Sequence, residues 1–576
     1  MREARSEASA FCSHRRVIRV LVATLGVLLS CSSMFGQTAN GRISGTVKDQ
    51  TGALIPGAEV TVTDTARGVS RNLTTGEAGA YLAPNLLPST YTVRSTFVGF
   101  QGWQRENIRL EVGQDLTIDV VLLPGAQTET VSITAEVPLV NLTSAVLGGT
   151  LSNDTINNLP LNGRNFTLLL EMRPGVVLTL GNDSGGAGAA STNGLRPENS
   201  NEYLVEGLHG MSPFNGQPVM NSLALRGDAA TVLPVDAIQE FNQQFNGKAE
   251  YGGRAGGTTN IGLKSGTNAL HGTAYGFFRR ENWDARNYFN KDTQPKVNTD
   301  LNQFGATLGG PIKKDKLFFF LGYEQQRLNV GDSSAATVAF TDPAMIANFP
   351  ACITAAGGCN PITNSVAGAR TPDASNHLLL ACLGLPAASR SPQSLALAGL
   401  NPNCTPGPNY PNATTGAQWF VPHGGSDHGA TENPAFGINS YFANSQSIVR
   451  THGGVGKVDY HLNDKNTISG FFFRGLGKDI YSATNATNPD WRTRVNAWSF
   501  MGAGTWAWYP NATWANSFRL GYASLRHRYV GVDTSTEATS ASLGLPTGVS
   551  KFLDRSGGYP QALVISGFSA FGSRNT

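Results

Sequence analysis

Beyond residue 270 the chain alternates apolar and polar side chains with a period of two, and this pattern restricts its fold more than any other feature. Phe304, Ala306 and Leu308 are interleaved with Gln303, Gly305, Thr307 and Gly309, and Leu317, Phe319, Leu321 and Tyr323 keep the same period. Further on, Val458, Tyr460 and Leu462 are interleaved with Lys457, Asp459 and His461, and Phe518, Leu520 and Tyr522 with Ser517, Arg519 and Gly521. Successive side chains of a strand point to opposite faces, so each segment offers one apolar and one wet face. The connections separate a soluble sandwich from a membrane barrel. Strands expected over 301–309 and 316–327 are joined by GPIKKD, 452–462 and 467–474 by NDKN, and 498–508 and 512–527 by YPN. The links 281–300, 328–451 and 475–497 are long. Short and long connections thus alternate strictly, which puts every tight turn at one end of the strands, as in an outer-membrane barrel.

The rest of the composition agrees. No segment approaches 18 consecutive apolar residues, so any crossing of a membrane must be made by strands rather than helices. Only 14% of residues are charged, against about 25% in ordinary soluble proteins, and 67 glycines with many small polar residues fill the difference. A net charge of +3 gives no reason to expect a nucleic-acid partner. Residues 1–36 read as a signal peptide: Arg15, Arg16 and Arg19 supply the positive end and Val17 to Leu29 an apolar run too short to span a bilayer.

Residues 37–124 contain short alternating runs, such as Val60 and Val62 or Leu116, Ile118, Val120 and Leu122, cut by Gly52, Pro56–Gly57, Gly76, Gly79, Pro84 and Pro88. About seven strands in so short a span form a small β-sandwich. The runs GRISGTVKDQTGALIPGAEVTV and GAYLAPNLLPSTYTVRSTFVGF resemble the carboxypeptidase regulatory-like domain, which is transthyretin-like. No hydrolase accompanies the resemblance. The chain has no HxxE or HExxH zinc pair and no GxSxG, and no catalytic group, metal site or cofactor is expected.

Residues 141–268 change character, with LPLNGRNFTLLLEMRPGV, NEYLVEGLHG, VDAIQEFNQQF and AEYGGRAGGTTNIGLKSGTNALHG. These stretches resemble the plug domain of TonB-dependent outer-membrane receptors, specifically the Oar-like branch that carries a regulatory-like domain in front. The resemblance implies an α+β plug followed, over 269–576, by the first strands of a transmembrane β-barrel. The plug motif falls on Leu159, Pro160, Asn162, Gly163, Arg164 and Asn165, which read equally well as a turn before a helix. Gly256, Gly257 and Gly266 suit a backbone turning tightly beside a barrel wall.

Between sandwich and plug, in the linker 125–140, lies a short strand-forming stretch: Glu129, Thr130, Val131, Ser132, Ile133, Thr134 and Ala135. Its β-branched residues favour a strand, yet Pro124–Gly125 and Pro138 isolate it. It resembles the TonB box, with Ser132 where an apolar residue is common; the alternative is that residues 129–136 are an ordinary strand of the plug or sandwich. An isolated strand can be captured by addition to another protein's sheet edge, so TonB is the implied partner, beside outer-membrane lipid and an unidentified ligand. An adhesin or structural barrel that transports nothing is the alternative reading. The regulatory-like domain is expected in the periplasm and the barrel in the outer membrane. About seven spanning strands are expected to residue 527, with one more near Leu563 to Phe568, whereas a barrel that holds a plug has about 22. The chain therefore reads as the front part of a longer protein.

Four cysteines, Cys352, Cys359, Cys382 and Cys404, fall in the long loop 328–451. In an oxidising compartment they are expected to form two disulfides; three pairings are open, and Cys352–Cys359 with Cys382–Cys404 are the shortest closures. Mass mapping of unreduced protein is expected to find no free thiol among the four, and alkylation of all four would contradict the reading.

Overall fold

The computed structural model describes residues 40–125, 130–133, 148–159, 161, 164, 166–172, 174–179, 189–195, 201–211, 219–220, 231–245, 256–286, 296, 299–337, 387–390, 392, 395, 401–405, 440–481, 493–511 and 514–531. The signal peptide and the strand expected near Leu563 to Phe568 lie outside these residues.

The N-terminal unit is a two-sheet sandwich. Its strands are β1 (Gly41–Asp49), β2 (Glu59–Asp64), β3 (Val69–Thr74), β4 (Ala80–Leu86), β5 (Ser89–Thr96), β6 (Gly102–Leu110), β7 (Asp115–Thr117), β8 (Val120–Leu122) and β9 (Thr130–Ile133). One sheet runs β4-β1-β7 with β8 also on β1, and the other runs β3-β2-β5-β6-β9. The alternating residues close a core between them: Ile43, Val47, Val60, Val93, Val120 and Leu122 are fully buried. That strict in–out pattern is why such short strands suffice.

The next unit centres on a mixed sheet. It comprises β10 (Gly148–Ser152), the one-turn helix α1 (Asn153–Asn158), a 3-10 segment at Phe166–Met172, the hairpin β11 (Val176–Thr179) and β12 (Ala189–Thr192), then β13 (Asn201–Val205), β14 (Leu208–His209), β15 (Ile238–Gln244) and β16 (Gly257–Leu263). The sheet order is β10-β15-β16-β13-β14, with β13 parallel to β16. Ser152 caps α1 by accepting from the Thr155 amide. Phe241, Ile261 and Leu233 form its core together with Phe320, Val455, Phe473 and Met501 of the following unit, so plug and wall share one apolar cluster.

The wall is a seven-stranded antiparallel meander in sequence order: β17 (His271–Arg279), β18 (Thr299–Lys313), β19 (Leu317–Thr337), β20 (Ser440–Asn463), β21 (Asn466–Tyr481), β22 (Thr493–Asn511) and β23 (Trp514–Gly531). Its two faces separate as the alternation requires. Gln303, Glu324, Thr451, Lys457 and Asp479 are buried on the plug side, while Phe304, Leu321, Val458, Phe472, Trp506, Phe518 and Leu520 are exposed on the other. The plug-side identity follows from close approaches: a Cβ added at Gly453 would collide with the Val232 carbonyl, and Gly453 shares its face with Val455 and Lys457. The tight turns over 314–316 and 464–465 and the two-residue link between β22 and β23 all lie at one end.

The strands outrun the expectation at the other end. β19 and β20 extend into the range 328–451 that was expected to be loop, staying paired from Leu328↔Val449 to Thr337↔Ser440. Asn329, Gly331, Asp332, Ser333 and Ser334 carry no apolar alternation, since a ladder standing clear of lipid needs backbone pairing but no apolar face.

A charge on the apolar face tests the assignment of faces. Leu520→Arg is expected to lower barrel stability by about 2–4 kcal/mol, read as loss of heat-modifiable, membrane-assembled protein; normal assembly would reverse the faces.

Candidate functional site

The polar groups that join the three units make up the site. Arg164, the cation of the expected plug motif, sits in left-handed backbone (φ 53°) just ahead of the 3-10 segment. Its Nη2 donates to Asp236 Oδ2 at 2.6 Å, and its guanidinium lies 4.2 Å from the Phe277 ring centre and 5.1 Å from that of Tyr275, both on β17. Tyr275 then donates to Glu324 Oε2 at 2.6 Å, and Gln303 Nε2 to Glu324 Oε1 at 2.8 Å. A continuous polar chain thus runs from plug into wall. Leu159 closes α1 through its amide to the Thr155 carbonyl, at 3.2 Å. Pro160, Asn162, Gly163 and Asn165 lie outside the described residues.

A second tie is largely buried. Lys457 of β20 donates from Nζ to Glu206 Oε1 at 2.9 Å, and that same oxygen accepts the Leu263 amide at 2.7 Å. A buried ion pair costs desolvation, and the hydrogen bond from the Leu263 amide offsets part of it. Ser265 donates to Asp459 Oδ2 on the same strand as Lys457.

The sandwich grips the segment where the plug passes into β17. Arg67 donates from Nε to the Gly266 carbonyl at 3.1 Å while its Nη1 holds Asp64 at 2.6 Å. Asn268 donates to the Arg67 carbonyl and to Asp315 Oδ1, each at 2.6 Å. Gly266, singled out in the sequence, is required here: a Cβ would run into the Phe319 and Gly310 carbonyls of the wall. On the rim, Arg71 lies 4.2 Å from the Tyr509 ring centre.

A further contact joins the sandwich to the plug sheet. The Val112 amide donates to Glu240 Oε1, and Arg109 reaches Glu240 Oε2 at 3.9 Å. Burial pushes Glu240 up to about 7; the Val112 hydrogen bond and Arg109 oppose this and Glu111 adds to it.

The short strand of the linker is not isolated. Thr130–Ile133 forms β9, parallel to β6 in the register Gly102↔Thr130 to Arg105↔Ile133, and so closes the free edge of the sandwich sheet. This is the placement of the alternative reading, a strand of the sandwich, which local sequence did not favour because Pro124–Gly125 mark the end of the domain that supplies β6. Glu129, Thr134 and Ala135 lie outside the described residues. Cys404 is buried and disulfide-bonded; Cys352, Cys359 and Cys382 lie outside the described residues. Among the described residues no three His, Cys, Asp or Glu side chains converge as metal ligands.

Residues 262–576 match the family described as the outer membrane beta barrel domain. The chain belongs to that family, and its place is the outer membrane. Residues 42–123 match the carboxypeptidase regulatory-like domain. Over 325 residues the chain is 31% identical to the TonB-dependent transporter Oar of Myxococcus xanthus, covering 53% of this chain and 29% of the relative. It therefore spans less than a third of that relative's length. Solved structures similar to it include the outer membrane transporter YddB of Escherichia coli (12% identity, TM-score 0.39, covering 67% of this chain and 39% of YddB). A mutant of the ferric enterobactin receptor PfeA of Pseudomonas aeruginosa is another (15%, TM-score 0.37, covering 66% and 41%). At those scores neither carries a functional argument.

The Glu240 contact gives a pH dependence with a definite sign. Its folded value lies above the ordinary carboxylate range, so the folded state holds the proton more tightly. This contribution to stability is complete below the ordinary carboxylate range and is lost as pH rises through about 7. The thermal midpoint of the wild type relative to Glu240→Gln is expected to fall between pH 5 and 8; a constant difference would contradict the assignment.

Proposed function

We propose that the protein carries out energy-coupled passage of a ligand across the outer membrane, with TonB drawing on the strand Thr130–Ile133. The observation that carries the reading is the position of that strand. It hangs on one sheet edge outside the wall, at the head of a plug seated against the wall's polar inner face. Coupling of this kind needs a handle that one protein can surrender to another. A parallel ladder of four residue pairs offers few hydrogen bonds, each worth about 1 kcal/mol net. Another sheet edge can take over those bonds by strand addition.

In this reading, capture of β9 transmits tension to the segment after Ile133 and from there to β10. The plug yields at its polar ties, Arg164–Asp236 and Lys457–Glu206, rather than at the wall, whose ladders are far longer. The tight-turn end faces the periplasm, with the sandwich beside it, and the ligand meets the long-loop end. The relative's name, TonB-dependent transporter, supports the same reading.

Proline tests the handle, because it removes a main-chain donor and fixes φ. In the full-length protein, Val131→Pro and Ile133→Pro are expected to leave surface ligand binding unchanged and to abolish uptake, with alanine at either position milder. Wild-type uptake by the proline variants would make the segment a plain linker. A barrel that binds but takes up nothing in any form, wild type included, would favour the adhesin.

A further inference from the structure

The outward face of the wall carries a second pattern, above its apolar band. Cross-strand register aligns Asn302, Arg327, Arg450, Lys478, Asn496 and Arg528 in a single row across six adjacent strands. Three of the cations, Arg327, Arg450 and Lys478, are direct neighbours. All four cations in the row are exposed, as are Arg474, Arg494 and Arg526 nearby on the same face. Among the described residues none of these has an ion pair, and Asp300 is the single carboxylate that shares this face of the described strands. Like charges directly opposite on a sheet are destabilising, so such a row needs an anion to offset its repulsion.

The height of the row indicates where that anion comes from. Trp498 and Trp508 lie on the same face of β22, ten residues apart, which for a strand tilted by about 40° is roughly 25 Å. That is the height of the apolar band between two aromatic girdles. Asn496, in the cationic row, is the next outward position beyond Trp498, toward the long-loop end. At β22 the row therefore stands at headgroup level in the outer leaflet, one step above the hydrocarbon, and the strand tilt offsets each neighbouring position by only about 3 Å along the axis. Arginine forks and a lysine at strand spacing fit phosphate oxygens better than any neutral headgroup.

We propose that this row is a binding site for the phosphate groups of outer-leaflet glycolipid, with Arg327, Arg450 and Lys478 as its centre. The site lies on the opposite side of the wall from the plug and is independent of the ligand pathway. It would fix an annulus of lipid to the long-loop end of these strands, where β19 and β20 rise clear of the membrane.

The test uses the full-length protein in detergent, titrated with bisphosphorylated lipid A or with the same lipid A dephosphorylated, and bound copies counted by native mass spectrometry. Wild type is expected to retain the phosphorylated lipid and to bind the dephosphorylated one about tenfold or more weakly. Arg327→Gln, Arg450→Gln and Lys478→Gln together are expected to reduce the first to the level of the second, while Arg327→Lys with Arg450→Lys retains most of it. Equal binding of the two lipids by wild type overturns the proposal, and this arm does not depend on any variant folding. So does equal binding of phosphorylated lipid by wild type and by a triple variant that keeps its heat-modifiable mobility.

Discussion

A backbone in hydrocarbon has no water to satisfy its N–H and C=O groups, and every such group left unpaired costs several kcal/mol. That requirement governs the wall. From β17 to β23 each strand pairs with its sequence neighbours through the apolar band without interruption of register. The irregularities that do occur, at Pro311/Lys313, His461/Asn463 and Trp508/Asn511, all fall beside the tight turns. Pro311 cannot donate to a ladder, and it sits where water can take over. The ladder is thus perfect where lipid demands it and relaxed where it does not.

The same constraint creates the conditions for the plug. With the outward face committed to apolar side chains across the hydrocarbon, most of what is polar on the strands at that depth must point inward, where it is buried against another protein surface. Glu324, Lys457 and Asp459 would be costly there without partners, and Tyr275, Gln303, Glu206 and Ser265 supply them. The plug therefore packs through a shared apolar cluster and is oriented by discrete polar ties. Ties of this kind leave a charge unpaired when broken, so they hold position well while remaining few enough to release together.

How much of this could be read from the sequence follows the range of the signal. The seven wall strands and their short–long connections come from local alternation and turn residues, which lipid enforces at each position; the sandwich core is legible for the same reason. Strand length above the membrane was not, because Asn329 to Ser334 pair through their backbone and carry no side-chain pattern. Arg164 stood out as part of a motif, but Asp236, Tyr275 and Glu324 did not: they lie 72, 111 and 160 residues away in sequence, and nothing local distinguishes a paired charge from a solvated one. The grip of Arg67 on Gly266 spans 199 residues and is equally silent. Gly266 itself was legible as a tight approach, though not what it approaches.

The pairing of β9 with β6 changes what a coupling strand must do. A strand free in solution can be captured at no cost beyond its own ordering, whereas β9 leaves behind an open sheet edge on β6, with a row of unpaired backbone groups. Under the proposed coupling, capture is an exchange of one edge for another. The net cost is small because bonds lost on β6 are regained on the partner, but the exchange is reversible in a way that free capture is not. Once tension ends, β6 competes for the strand again at the high effective concentration that a short tether provides. The sandwich would then act as the resting place of the handle, returning it to the same register after each pull, and its grip on residues 266–268 would keep that resting place beside the rim.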